Sequence, residues 1–211
     1  LAASIELLLD QAPDLSASEL QELLMSLHLG ALGLQTLIDN LLESASIEAG
    51  HFRISPRAAD LGNIIAEAAD TMQPLLDKYG QHLVIELPME IPVVRADPRR
   101  TVQVLVNLIG NAGKYGPAEA EILLKVTNMG SQTRVEVADK GPGIPTEARQ
   151  NIFRRFIYPV GESNASQPGA GLGLSVVKAI IEAQGGQVGV EDRPLGGSIF
   201  WFTLPISEAG S

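Results

Sequence analysis

Residues 103–117 read QVLVNLIGNAGKYGP. Asn107 and Asn111 stand four apart, so a helix through this stretch carries both on one face beside Lys114. An amide oxygen is a hard ligand that suits Mg²⁺, a lysine ammonium suits phosphate oxygens, and Tyr115 offers an aromatic face. Read alone, the same residues also describe the polar edge of an amphipathic helix. Just upstream, Asp97 followed by Pro98 is a cap and first-turn signature, so the helix opens there and reaches about Ala112.

Working outward, EILLKVTN (121–128) and TRVEVAD (133–139) are β-branched runs separated by MGSQ, which predicts an antiparallel hairpin. The second run delivers the chain to ADKGPGIP (138–145). There Asp139 sits at a strand end, and Gly141 and Gly143 let the backbone turn and approach a ligand closely. A buried carboxylate accepts hydrogen bonds only, and so suits an exocyclic amine such as that of adenine. GAGLGL (169–174) opens another helix, which presents free N–H groups and a positive dipole end to phosphate. Its alternating glycines follow a loop rather than a strand, which rejects the dinucleotide-binding fingerprint. Between the two glycine-rich segments, residues 151–168 are too long for an ordinary connection and read as a lid, anchored by Phe153 and Phe156. Arg154 and Arg155 are candidates to reach phosphates.

The remaining elements complete an α+β pattern. HFRIS (51–55), HLVIEL (82–87) and PVVRA (92–96) read as strands. Asp60 caps a helix running to about Tyr79, which Pro74 should shorten or kink. A helix from Gly171 to Gln184 stops at Gly185–Gly186, and QVGVE and SIFWFTL form a second hairpin across DRPLGG. The expectation is about six strands and three helices, the helices on one face, in an α+β sandwich rather than a parallel doubly wound sheet. Residues 1–50 differ in kind. Leu1–Asp10 is short and helix-prone, QAPDLS is a turn, and a long helix capped by Ser18 runs to about Glu48, closed by Gly50. Leu20, Leu27, Leu34 and Leu41 form one heptad row and Leu24, Ala31, Ile38 and Ala45 another, the two rows of a bundle seam that calls for a partner chain.

Composition excludes several classes. The 211 residues carry 15 Lys+Arg against 25 Asp+Glu, a net charge of −10, so the basic footprint of a nucleic-acid binder is missing. Nine aromatics (5 Phe, 3 Tyr, 1 Trp) make no stacking platform for single strands. No apolar stretch approaches the roughly 20 residues of a membrane span, so no membrane contact is expected. The absence of Cys rules out disulfides and thiolate-held zinc. A chain that starts at Leu1 with no leader reads as a piece of a longer protein.

Taken in order, these segments resemble the ATP-binding catalytic domain of a sensor histidine kinase of a two-component system. They match its N box (Asn107, Asn111, Lys114, Tyr115), G1 box (Asp139, Gly141, Gly143), F box (Phe153, Phe156) and G2 box (Gly169, Gly171, Gly173). LIDNLLESASIEAG (37–50) resembles the end of that family's dimerisation and histidine-phosphotransfer hairpin. The resemblance implies residues 1–50 as a truncated dimerisation and phosphotransfer hairpin, half of a dimeric four-helix bundle. It implies residues 51–211 as an ATP-binding catalytic domain of the Bergerat type, with a mixed sheet. It further implies ATP and Mg²⁺, with Asn111 on the metal, Asn107 and Lys114 in catalytic roles, and Asp139 specifying adenine. Tyr115, Ile144, Phe156, Gly169, Gly171, Leu172, Gly173 and Leu174 complete the nucleotide site. Partners by resemblance are a response-regulator receiver domain and a second copy of the chain, in the cytoplasm, whether or not the parent protein is membrane-anchored.

The acceptor histidine of that family lies on the first hairpin helix, followed by an acidic residue and then a Pro-Leu pair. The histidines here are His28, His51 and His82. None has that context, so the acceptor is expected just upstream of Leu1, and this chain is expected to bind ATP without phosphorylating itself. In the hydrolases that share the nucleotide fold, a Glu precedes the metal-binding Asn by one turn as general base. Here Asn107 occupies that place, and an amide takes no proton at neutral pH, which disfavours hydrolysis. The competing class is a dimeric nucleotide-binding scaffold, or a degenerate kinase that docks a regulator without turnover.

Overall fold

The computed structural model describes residues 16–155, 171–194 and 196–207, with the side chain of Leu29 excluded. Helix α1 spans Ala17–Glu48. It is followed by β1 (Arg57–Asp60), α2 (Leu61–Lys78), β2 (His82–Glu86), β3 (Val93–Ala96) and α3 (Pro98–Tyr115). The second half holds β4 (Glu121–Met129), β5 (Gln132–Ala138), α4 (Thr146–Arg149), α5 (Gly173–Ala183), β6 (Val188–Asp192) and β7 (Ser198–Pro205).

Five strands form one mixed sheet in the order β2-β4-β5-β7-β6. Only the β2–β4 pair is parallel (Val84 opposite Leu123); the hairpins β4–β5 and β6–β7 are antiparallel, as is β5–β7. Alternation along the strands sorts the faces. Ile122, Leu124, Val126, Val135, Val137, Phe200, Phe202 and Leu204 point inward and are buried. They meet Ile64, Ile65, Ala68 and Leu76 of α2, Leu105, Leu108 and Ile109 of α3, and Val176, Val177, Ile180 and Ile181 of α5 in one core. The opposite face carries Lys125, Glu136 and Trp201, and the Arg134 guanidinium lies 4.5 Å from the Trp201 ring centre.

The expected α+β sandwich with helices on one face is therefore present, with a second, two-stranded sheet in addition. β1 pairs antiparallel with β3 (Ala58 opposite Arg95), making seven strands among the described residues. The strand expected at His51–Ser55 is absent. The Ser55 N–H donates instead to Asp97 Oδ2 at 3.0 Å, and pairing begins at Arg57, where β3 supplies an edge. RAAD lacks β-branched residues, so its strand character comes from the partner. α2 starts at the Asp60 cap and runs to Lys78 with Pro74 inside it, so the proline does not shorten it. The α1 cap is Ser16, not Ser18: Ser16 Oγ accepts from the Glu19 N–H at 3.3 Å and Glu19 Oε2 accepts from the Ser16 N–H at 2.9 Å. That reciprocal box satisfies two orphan donors at once and starts the helix at Ala17, which leaves Ser18 inside its first turn.

α1 ends at Ala49 with Gly50 beyond it in the left-handed region. Leu24, Leu34, Ile38 and Leu41 are all about half exposed or more, so both heptad rows leave apolar surface open. The same helix turns Asn40 and Ser44 inward, both 5% exposed. The first hairpin helix expected at Leu1–Asp10 lies outside the described residues.

Candidate nucleotide site

The two ends of α3 are fixed by polar side chains. At its start, Asp97 caps the Arg100 N–H, and buried Gln184 accepts from the Asp97 N–H at 2.6 Å. At its end, Gln81, 1% exposed, donates through Nε2 to the carbonyls of Gly113 and Pro117, each at 3.0 Å. A helix C-terminus leaves carbonyls without intrahelical partners, and Gln81 satisfies one just before and one just after the Lys114–Tyr115 pair. Lys114 Nζ lies 5.0 Å from the Tyr115 ring centre, and both side chains are half-buried.

β5 ends at Ala138 and places Asp139 against this helix end. Asp139 is 5% exposed. Its Oδ1 accepts from the Gly141 N–H at 2.7 Å and the Ser198 N–H at 3.3 Å, and its own N–H donates to the Ser198 carbonyl at 2.9 Å. Burial pushes the Asp139 carboxyl above the ordinary carboxylate range, and the Gly141 and Ser198 N–H groups and the Arg193 charge pull it partly back. Oδ2 accepts no hydrogen bond among the described residues. A side chain on Gly141 would come within 2.8 Å of the Tyr115 carbonyl and 2.9 Å of Asp139 Oδ1. Gly197, at φ +102°, faces the Asp139 carbonyl so closely that a Cβ would collide with it. Both glycines are therefore required by close approach of backbone around Asp139. Ile144 packs on the core, with its carbonyl accepting from Arg149 Nε at 3.0 Å, and Gly143 turns at φ +80°.

α5 opens at Gly173, after Gly171 at φ +64° and a buried Leu172. Its cap residue, Leu172, has no side chain able to accept from the first N–H groups, and no side chain among the described residues caps that end. Such an end is a ready anion site. Leu174 packs partly on the core.

Asn107 and Asn111 have separated environments. Asn111 is half-buried, and its side chain makes no hydrogen bond among the described residues. Asn107 is 8% exposed and turned toward α1, where Asn40 Nδ2 donates to its Oδ1 at 3.1 Å. Its own Nδ2 donates to the Gln103 carbonyl at 3.0 Å and to Asn40 Oδ1 at 3.4 Å. Arg155, a candidate phosphate contact, pairs with Glu48 of α1. Phe153 packs against the core as expected. Phe156 and Gly169 lie outside the described residues.

The chemistry of this donor set fits a magnesium nucleotide. Among the described residues no cluster of three His, Cys, Asp or Glu forms a metal cage. Mg²⁺ held mainly by phosphate oxygens and water needs only one or two protein oxygens, a demand that the unpaired Asn111 amide oxygen would fit. The buried Asp139 carboxylate fits a hydrogen-bond donor on a base, and the uncapped start of α5 fits phosphate.

Sequence reasoning does not single out Gln81, Arg193 and Gly197 as site residues, and it weighs Ser198 as a water-mediated contact to the base only to prefer a plain structural strand. The signals were faint: Gly196–Gly197 between two strands hints at a close approach, but nothing local marks Gln81.

Comparison with known proteins agrees with this geometry. The chain belongs to the family of histidine kinase-, DNA gyrase B-, and HSP90-like ATPases, which its residues 96–208 match. Within that family its likeness is to sensor histidine kinases. It is 34% identical over 173 residues to the sensor protein KdpD of Escherichia coli strain K12, covering 82% of this chain and 19% of that protein. It matches the full-length structure of ShkA in complex with AMPPNP at a TM-score of 0.71 and 30% identity, over 95% of this chain and 42% of that one. It also shares the fold of the histidine kinase ThkA, solved in complex with the response regulator protein TrrA (TM-score 0.67, 24% identity, 97% of this chain and 57% of that one). The chain thus spans about a fifth of KdpD's length and under half of the matched ShkA chain. No helix among the described residues is long and apolar enough to cross a membrane.

Proposed function

We propose that the chain is the ATP-binding catalytic portion of a sensor histidine protein kinase. It would transfer the γ-phosphoryl group of ATP to a histidine, from which the group passes to an aspartate of a response regulator. The observation that carries this reading is the buried Asp139, fixed through one oxygen by Gly141 and Ser198 and free at the other, beside the Asn111–Lys114–Tyr115 helix end. Residues 1–50 act as part of the dimerisation and phosphotransfer hairpin and residues 51–211 as the catalytic domain. In keeping with this, α1 leaves Leu24, Leu34, Ile38 and Leu41 open for a second copy. ThkA's complex with TrrA supports a receiver domain as the partner. A cytoplasmic location follows from the same reading.

Phosphoryl transfer needs positioning and charge neutralisation more than covalent help. Asn111 would hold Mg²⁺, which in turn neutralises phosphate charge. Lys114 brings a cation to the phosphates and Tyr115 lines the base. Asp139 accepts from the adenine amine, with Gly141, Gly143 and Ile144 shaping that wall. Gly169, Gly171, Leu172, Gly173 and Leu174 would offer backbone N–H groups to the phosphates, and Phe156 would complete the nucleotide site as an anchor of the lid. Asn107 completes the site from one turn before Asn111. No carboxylate stands there to activate water, so transfer is favoured over hydrolysis.

The test extends the chain ahead of Leu1 with an acceptor-histidine segment and supplies γ-labelled Mg·ATP. Acid-labile, base-stable label that disappears with Asn111→Ala is expected. Release of inorganic phosphate with no protein label contradicts the reading.

A further inference from the structure

We infer that β2 is a self-pairing edge, through which two copies of the chain join their five-stranded sheets antiparallel about a two-fold axis at Val84. This surface shares no residue with the nucleotide site or with the open rows of α1.

β2 (His82–Glu86) is the outermost strand of its sheet and, among the described strands, pairs only with β4. The His82 N–H donates to the Ala120 carbonyl at 3.1 Å. In a parallel ladder alternate residues bond to the same neighbour. His82, Val84 and Glu86 therefore spend their backbone groups on β4, while Leu83 and Ile85 turn theirs to the open edge. The side chains of His82, Val84, Ile85 and Glu86 are exposed. A row of free N–H and C=O groups is a template for another strand, and proteins blunt it with charge, proline or a bulge. The opposite edge, β6, ends in Glu191 and Asp192, which pair with Arg134 and Arg149. The middle of β2 has no such device. Leu83, Val84 and Ile85 are consecutive apolar residues, and Leu87, Met89 and Ile91 beyond them are exposed as well.

The occupant is a second copy because β2 is complementary to itself. In an antiparallel pair centred on Val84, Val84 faces Val84, Leu83 of each copy faces Ile85 of the other, and His82 faces Glu86. Leu83 and Ile85 carry the outward backbone groups, so each of those pairs exchanges both N–H···O bonds. They also lie on the helix-covered face, opposite buried Ile122 and Leu124, and extend that apolar layer across the junction. The other face carries a row of alternating polarity. Within one copy His82 stands opposite Glu121 and Glu86 opposite Lys125, with Glu86 Oε2 3.5 Å from Lys125 Nζ. Across the junction the row reads Glu121, His82, Glu86, Lys125, and a histidine N–H donates to a carboxylate at the new contact. An axis at Leu83 or Ile85 sets His82 or Glu86 against Val84, and one at Glu86 sets two carboxylates face to face. The Val84 register matches at every position of the strand.

The chain has no Cys, so one introduced thiol reports the geometry. A two-fold axis at Val84 sets residue 84 opposite itself in a non-hydrogen-bonded pair, at a Cα separation of about 4.5 Å that a disulfide can span. The 211-residue variants Val84→Cys and Met89→Cys are oxidised in parallel at equal concentration, and covalent dimer is followed on non-reducing gels. Met89 is fully exposed and lies away from the axis, so it reports random collision and any approach through α1. Val84→Cys is expected to cross-link at least tenfold faster. In sedimentation equilibrium, Val84→Lys is expected to weaken association of the chain while melting with the parent. Should Val84→Lys melt lower, the cross-linking comparison decides alone. Cross-linking no faster at residue 84 than at residue 89, or association unchanged in a folded Val84→Lys, overturns the proposal and leaves the edge to an extended segment of another protein.

Discussion

Asp139 turns one carboxylate oxygen back onto its own loop, accepting the Gly141 N–H at 2.7 Å, and leaves the other without a protein donor among the described residues. A buried anion half-satisfied by its own backbone is an unfavourable arrangement for an empty domain. It becomes favourable when a ligand brings the missing donor.

The pH dependence follows from that imbalance. Burial raises the Asp139 pKa in the folded state, so the group favours folding below the ordinary carboxylate range and that contribution is lost as pH rises through its raised value. Asn keeps an acceptor for the Gly141 and Ser198 N–H groups and removes the charge. Asp139→Asn should therefore melt at least as high as the parent at pH 7, with the advantage vanishing at acid pH. Nucleotide affinity of the parent should fall as the carboxylate is protonated. Thermal melts across pH, and calorimetry at two pH values, check both halves.

Gly197→Ala strains a residue at φ +102° and drives a methyl group into the Asp139 carbonyl. We expect a loss of about 2 kcal/mol or more. For a chain of this size that lowers the melting temperature by roughly 4–8 °C. A variant that melts with the parent would mean the loop relaxes freely.

Gln81→Leu keeps the volume and removes both hydrogen bonds to the end of α3. The buried Gly113 carbonyl loses its donor, at about 1–3 kcal/mol where no water replaces it, while the carbonyl of the exposed Pro117 turns to solvent. Urea unfolding should show the loss, and faster hydrogen exchange should be confined to the stretch around Lys114 and Tyr115. Uniformly faster exchange would instead mean that Gln81 supports the fold as a whole.

What sequence reading recovered was what leaves a local or periodic trace. The Asp97–Pro98 start of α3, both β-hairpins, the Asp60 cap and the extent of α1 all have neighbours that announce them. The helix spacing of Asn107 and Asn111 also held, but not what each side chain meets. Asn40 lies 67 residues from Asn107, and a pair of polar residues brought together by packing has no period to detect. Gln81 is equally silent, since its partners are backbone carbonyls more than thirty residues on. The misplaced strand near residue 55 has the same origin: RAAD is a strand because β3 lies beside it, while HFRIS looks like one and finds no edge. Ser16 over Ser18 as the α1 cap was within reach, for Glu19 three residues on is the mark of a capping box.

The central claim is that Asn111 and Asp139 belong to one Mg·ATP site. Calorimetry of Mg·ATP binding to the chain, to Asn111→Ala and to Asp139→Ala tests it most directly. The account predicts binding that requires Mg²⁺ and weakens at least tenfold in each variant, about 1.4 kcal/mol. Binding indifferent to both substitutions, or no binding by the parent chain, would contradict it.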